Sequence, residues 1–478
     1  MRRDMLVGGE WRGSGARTEV RSPYDGSVVG SVPAGDAESV RAAHAAAAAA
    51  LVPARRPGQR ERADVLDRAR QGLLARREEF AACMVLEAGK PLTSARAEVD
   101  RAADTLLFSS IEARTLAGTV VPMAATTSGE GKCAYTVLRP KGVVTAITPF
   151  NFPLNLVCHK VAPAFAAGCP VVLKPSELTP LTALLLAEVL VDAGMPAGYL
   201  NVVTGMPADL GPGLTGSQGV AVVTFTGSGR VGRMLAEQHP HIPVLLELGS
   251  TAPVIVDETA DIGLAAQRVA ATAFSYAGQS CISVQRVYVN RAVHQEFTDL
   301  LQARTGELRV GDPADERTDV GPMITTQERD RVVAWVGEAV EQGAELLAGG
   351  EVNGDGTLQP TVLDSVEPSM KVSCDEVFGP VVSIRAVDGV GQAFELSNAS
   401  RYGLQAGVFT NDYATVVRAA ASLEFGGVLI NESPSFRADQ QPYGGLRESG
   451  NTREGPGVGG PGLLRRNPGR SPGTVTHH

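Results

Sequence analysis

Residues 142–176 read GVVTAITPFNFPLNLVCHKVAPAFAAGCPVVLKPS. Two short apolar runs rich in β-branched residues, GVVTAITP (142–149) and CPVVLKPS (169–176), flank a helical stretch at 154–168. Strand, helix, strand at this spacing is a βαβ unit. Strands that are apolar throughout, rather than alternating, belong to a parallel sheet buried on both faces. The rhythm continues through LNVVTG (200–205) and VAVVTFTGS (220–228), with helices expected at 180–194 and 209–216. It returns after residue 249 with APVIV, a helix at 261–277, SVQRVYVN, helices at 292–305 and 326–342, and VVSIRAV. The fold class is therefore α/β, with two parallel-sheet lobes.

Outward from this core the texture changes. Residues 5–34 read as short strands and turns. Asp36 suits an N-cap for the alanine-rich helix that follows, which Pro53 and Pro57 end. A charged amphipathic helix is expected over 59–89 and another over 95–116. Residues 118–138 suggest a hairpin outside the main core. Residues 455–478 contain seven glycines and four prolines and show no apolar periodicity, so they read as coil.

The chain has 478 residues, enough for about three domains at roughly 150 residues each. Its net charge of −9 argues against nucleic acid as the main partner. Six cysteines, at 83, 133, 158, 169, 281 and 374, show neither a disulfide framework nor zinc spacing, so no metal is expected. The first residues lack the apolar core of a secretory signal, and the alanine run at 42–52 is too short to span a bilayer. A cytoplasmic protein with no membrane association is the expectation.

Parallel α/β sheets bind ligands at the carboxyl ends of their strands. Five turns stand out: ITPFNFP (147–153), LKPSE (173–177), FTGSGRVG (225–232), LLELGS (245–250) and AGQSC (277–281). FTGSGRVG carries a G-x-G-x-x-G at Gly227, Gly229 and Gly232, and Glu247 lies 20 residues beyond Gly227, where a dinucleotide fingerprint places a ribose-binding acid. A carboxylate in the apolar strand around Glu247 demands either a partner or a function. Cys281 among small residues would ordinarily be an inert filler.

Asn151, Lys174, Glu247, Cys281 and Glu376 together resemble the NAD(P)-dependent aldehyde dehydrogenase superfamily. The segments that carry the resemblance are TPFNFP, LKPSE, FTGS, LELGS, GQSC, EVFGP (376–380) and YGGLRESG (443–450), in the family's order, from about residue 5 to 455. The resemblance implies that Cys281 is the nucleophile, that Asn151 donates to the oxyanion and that Glu247 activates the hydrolytic water, which displaces the ribose reading of Glu247. It implies cofactor contacts from Thr148, Pro149, Phe150, Lys174, Glu177, Gly227, Ser228, Glu376 and Phe378, with NAD preferred and NADP possible.

The same resemblance implies a cofactor domain over 1–115 and 139–248 and a catalytic domain over 249–440. A bridging and oligomerisation segment would take 116–138 and 441–478. Phe150 and Ser250 replace the family's frequent Trp and Gly, which is similar to the lactaldehyde and phosphonoacetaldehyde dehydrogenase subgroup. A small polar or anionic aldehyde is the expected substrate, met by Arg101, His159 and Arg437. Phosphonoacetaldehyde, phosphonoformaldehyde, lactaldehyde and succinate semialdehyde are the candidates. A redox-independent thioesterase on the same scaffold is the competing reading. A homodimer is expected, a tetramer being possible, and a weak oligomer because the tail offers no apolar strand.

Overall fold

The computed structural model describes residues 1–13, 15–52 and 56–456 and the backbone of the strand Leu464–Pro468. Two seven-stranded sheets form its two lobes. In the first, Val244–Glu247, Val220–Thr226, Val143–Ile147, Val171–Lys174 and Leu200–Val202 run parallel in that spatial order. Met5–Val7 and Glu10–Arg12 close one edge antiparallel. The strand order reverses direction between Val143–Ile147 and Val220–Thr226, so a crevice opens beyond their carboxyl ends. The second sheet runs Glu345–Ala348, Thr361–Asp364, Val381–Val387, Arg286–Asn290, Pro253–Val256, Gln405–Phe409 and Gly427–Ile430, parallel except for its first strand. The α/β class and its two parallel sheets are as the sequence implied.

The βαβ unit of residues 142–176 is buried almost throughout. Every residue of the helix Asn155–Ala166 is buried, including Asn155, His159 and Lys160. A wholly buried helix can carry such groups only where each finds a partner. Asp36 caps the helix Ala37–Ala50 with a reciprocal Ser39 contact. The helix expected over 59–89 is two helices, Gln59–Ala75 and Arg77–Ala88, broken at Arg76, whose guanidinium is tied to Glu79 and Glu188. The helix expected at 209–216 is two single turns, Pro207–Leu210 and Gly213–Gly216, because Gly211 takes a left-handed conformation (φ 70°) ahead of Pro212.

The outlying hairpin pairs Val120–Val121 with Ala134–Pro140. The coil expected over 455–478 needs correction: Leu464–Pro468 pairs antiparallel with the other edge of Ala134–Pro140 and makes the sheet three-stranded. Edge pairing is backbone hydrogen bonding and needs no apolar face. Pro468 is tolerated at the strand's end on an edge. This removes the premise on which a weak oligomer was expected. The rest of the tail beyond residue 456 lies outside the described residues. Residues 443–454 pack on the body: Leu248 donates its N–H to Ser449 O, and Asn451 to Leu246 O.

One buried ion pair fastens the helical layer to the turn between the sheets. Glu98 accepts the backbone N–H groups of Leu154 and Asn155 at 3.0 Å each, capping the fully buried helix. It also pairs with Lys90, which is itself 1% exposed. The Lys90 ammonium lies 3.9 Å from the centre of the Phe152 ring and 4.6 Å from that of Tyr276. Glu98→Ala therefore strands a buried cation and uncaps two amides. It should cost about 3–5 kcal/mol of stability, read as a lowered urea midpoint with an unchanged denaturant slope.

Candidate active site

The crevice between the sheets is a cleft of about 810 Å³. Cys281, Glu247, Asn151, Thr148, Pro149, Phe150, Lys174, Glu177, Gly227, Ser228, Glu376 and Phe378 all line it. Residues from six separate segments of the chain thus meet at one place. Arg101, His159 and Arg437 do not line this cleft; they form a cluster of their own behind Tyr443.

Cys281 lies three residues beyond a sharp turn. Tyr276, Ala277 and Gly278 take positive φ values of 50°, 52° and 68°. Gly278 is obligatory there, since a Cβ would lie 2.1 Å from Gly379 O. Gln279 locks the turn by donating to Tyr276 O and accepting the Ile324 N–H. Asn151 Nδ2 donates to Gln279 O at 3.0 Å, which brings its amide against the nucleophile's loop. Burial pushes the Cys281 thiol up to about 12, while its 3.2 Å contact with the Tyr443 hydroxyl pulls the other way.

Glu247 ends its strand buried, and neither carboxylate oxygen has a hydrogen-bond partner. Burial, reinforced by the nearby Glu454 charge, raises its pKa well above the usual carboxylate range, against Arg437, Lys160 and Arg453. An unpartnered buried carboxyl facing the cleft is open to a water there, and in its ionised form a raised pKa makes it the stronger base. Gly444 leaves room for it: a Cβ there would stand 2.9 Å from Glu247 Oε1.

The other half of the cleft suits a dinucleotide. Ser228 precedes the helix Gly229–Gln238 without capping it by its side chain, so the first-turn amides face the cleft uncapped. Gly232 brings that helix close, since a Cβ would lie 2.6 Å from Leu248 Cδ2. Lys174 Nζ donates to Glu177 Oε2 at 2.6 Å on one wall. On another, Glu376 packs on Gly249 and accepts the Ser250 N–H at 3.0 Å, and burial pushes its pKa to about 7. The Phe378 ring meets Phe150 edge-on at 5.9 Å between centroids.

Beside the expected Arg101, His159 and Arg437 stand three charged groups that the sequence did not single out, Asp439, Lys160 and Glu454. His159 is fully buried, accepts from Arg437 Nη2 at 3.3 Å through Nδ1, and lies 3.3 Å from Asp439 through Nε2. Burial and Arg437 lower its pKa, so it is neutral and supports Arg437 rather than presenting a charge. Asp439 stays ionised: burial would raise it, but His159 and Thr105 hold it at about 2. Arg437 lies 3.8 Å from the centre of the Tyr443 ring, and its Nε has no partner. Arg101 is half-buried, with burial and Arg437 lowering its pKa. Lys160 donates to Glu454 at 2.9 Å and to Thr224 at 3.1 Å. The signal that could have exposed this set is a lysine and a histidine side by side in an otherwise apolar helix.

Among the described residues no helix is long and apolar enough to cross a membrane. The sequence matches the family described as aldehyde dehydrogenase over residues 11–459. It is 44% identical over 452 residues to the 3-sulfolactaldehyde dehydrogenase of Priestia megaterium, covering 95% of this chain and 94% of that one. It is 36% identical over 460 residues to the succinate-semialdehyde dehydrogenase [NADP(+)] GabD of Escherichia coli, covering 95% and 94%. The crystal structure of an NAD-dependent aldehyde dehydrogenase from Sinorhizobium meliloti superposes with a TM-score of 0.94 at 34% identity, covering 100% of this chain and 97% of that one.

The ion pair behind the cleft makes a prediction of its own. In Glu454, burial works to raise the pKa, but Lys160 and Arg437 outweigh it and hold the group well below the usual carboxylate range. Stability from that ionised group is complete above the usual range and is lost as pH falls through the depressed value. Lys160→Met should cost about 3–5 kcal/mol at neutral pH. It should also shrink the acid limb of the stability profile, because Glu454 then enters that limb already protonated. Urea titrations at stepped pH read both effects.

Proposed function

Because the chain belongs to the aldehyde dehydrogenase family and is an oxidoreductase acting on aldehydes, we propose that it oxidises a small anionic aldehyde to its carboxylate through a thioester on Cys281. The observation that carries this reading is the meeting of Cys281, Asn151 and an unpartnered Glu247 in one cleft that also suits a dinucleotide. NAD-dependent and NADP-dependent relatives both support a nicotinamide cofactor.

The Cys281 sulfur, as thiolate, adds to the aldehyde carbon. The oxygen of the adduct gains negative charge and is met by Asn151 Nδ2 and the Cys281 N–H, donors fixed before the reaction begins. Ser228 with the first-turn amides of its helix, Glu376, Phe378 and the wall of Lys174 and Glu177 would hold the cofactor, with Thr148, Pro149, Phe150 and Gly227 shaping the cleft. Bound there, a nicotinamide supplies the hydride acceptor. Glu247 then takes a proton from water as that water attacks the thioester, and the carboxylate leaves with Cys281 restored.

Arg437, with its unpartnered Nε and its neutral His159 support, faces the Cys281 side through Tyr443. Together with Arg101 it forms a cationic cluster behind Tyr443, outside the lining of the cleft, toward which an anionic tail would be drawn. A sulfonate, phosphonate or carboxylate tail fits it by charge-assisted hydrogen bonds. The names of the relatives, a sulfonated hydroxyaldehyde and a carboxylated aldehyde, favour this class. NAD is preferred over NADP because Glu177 repels a 2′-phosphate. A cytoplasmic homodimer remains our reading, with Val120 and Tyr135 exposed on the hairpin.

Two measurements test this. Glu247→Gln should keep hydride transfer and slow thioester release, giving a stoichiometric burst of NADH in rapid quench and then a slow steady state. A variant that keeps full turnover but loses NAD affinity would instead place Glu247 on the cofactor. A panel of aldehydes with both cofactors tests the substrate. The kcat/KM for 3-sulfolactaldehyde or phosphonoacetaldehyde should exceed that for hexanal, and NAD should exceed NADP by about 10–100-fold. Arg437→Ala should remove about 10–100-fold more kcat/KM from the anionic aldehydes than from hexanal. Equal losses on both would remove the anion site.

A further inference from the structure

Tyr443 stands between the nucleophile and the cationic cluster, although its sequence gave no sign of a role beyond the segment it opens. Its hydroxyl lies 3.2 Å from Cys281 Sγ, and its ring faces the Arg437 guanidinium at 3.8 Å. The side chain is buried and packs with Ile282, Leu404 and Cys281. Its backbone is pinned by an antiparallel bridge to Glu454, and the next residue, Gly444, lies against Glu247. Packing alone does not require a hydroxyl at this position; a phenylalanine would fill the same apolar space.

We propose that Tyr443 is a further catalytic residue: its hydroxyl donates to the Cys281 thiolate and sets the pH at which the nucleophile becomes available. This rests on Cys281 being the nucleophile and adds to that reading the group that ionises it. The physical need is plain. The half-buried thiol shares its site with two carboxyl groups, Glu247 and Glu376, both of which disfavour a thiolate. Of the charged groups acting on it among the described residues, Arg437 favours the anion, and it stands on the far side of the Tyr443 ring. The phenol is therefore the neutral donor through which that positive charge reaches the sulfur. A cation on the ring face draws density from the phenol and strengthens its O–H as a donor. A hydrogen bond to a charged group is stronger than one to a neutral group, so it favours the thiolate over the thiol.

The test needs no aldehyde. In the NAD-saturated enzyme, inactivation by iodoacetamide is followed against pH for wild type and Tyr443→Phe, and the label is located by mass spectrometry. The label should fall on Cys281 in both. The midpoint of the rate profile should move upward by about one unit in the variant, so that the rate at neutral pH drops about tenfold while the high-pH plateaus agree. An unmoved midpoint overturns the proposal, whatever happens to the absolute rate, because a ring that only shapes access changes rate and not ionisation. Label elsewhere in the wild type overturns the nucleophile assignment, and this proposal with it. As a second readout, kcat/KM of the variant should fall by one common factor for 3-sulfolactaldehyde and uncharged lactaldehyde. A loss confined to the sulfonate would make Tyr443 a tail-binding residue and overturn its role at the sulfur.

Discussion

A charge removed from water must find a counter-charge or lose its own, and the centre of this protein is built on that constraint. Lys90 is matched by Glu98, Lys160 by Glu454, and Asp439 by the hydrogen bonds of His159 and Thr105. Among the described residues Glu247 is the exception, with both carboxylate oxygens unpartnered. Lys160 is engaged by Glu454 and Arg437 by the Tyr443 ring, so burial keeps the Glu247 pKa raised and its two oxygens stay open to water. Pairing Glu247 with Lys160 would have made a more ordinary buried ion pair and left no base.

The same constraint transmits position. Glu98 caps the helix that follows Asn151, and the cation it holds lies against Phe152 on one side and Tyr276 on the other. Phe152 adjoins the oxyanion donor, and Tyr276 begins the left-handed turn that presents Cys281. A single buried pair thus fixes the distance between two loops that arise from different sheets. The direct Asn151 to Gln279 hydrogen bond then sets the final register.

The tail shows the opposite lesson about what side chains decide. Glycines and prolines argued against any regular structure beyond residue 455, yet Leu464–Pro468 joins a sheet. An open edge on Ala134–Pro140 supplies backbone partners, and a guest strand needs only to be extended. Composition measures whether a segment can make its own core; it does not measure whether a neighbour will lend it one.

The sequence by itself determined the α/β class and the strand-end turns, because strand runs and Gly- and Pro-marked turns are local and survive without coordinates; the resemblance carried by its motif segments singled out Cys281, Asn151 and Glu247, which line one cleft. The family resemblance, carried by LKPSE, FTGS and EVFGP, implied that Lys174, Glu177, Ser228, Glu376 and Phe378 belong together, and all five line the cleft. Only the tertiary structure decided which charges face which. That His159 is neutral and serves Arg437, that Glu454 takes Lys160 away from Glu247, and that Tyr443 stands on the Cys281 sulfur are facts about residues 162 to 294 positions apart. Electrostatics acts through space and burial, and neither can be read along a chain until the chain has folded.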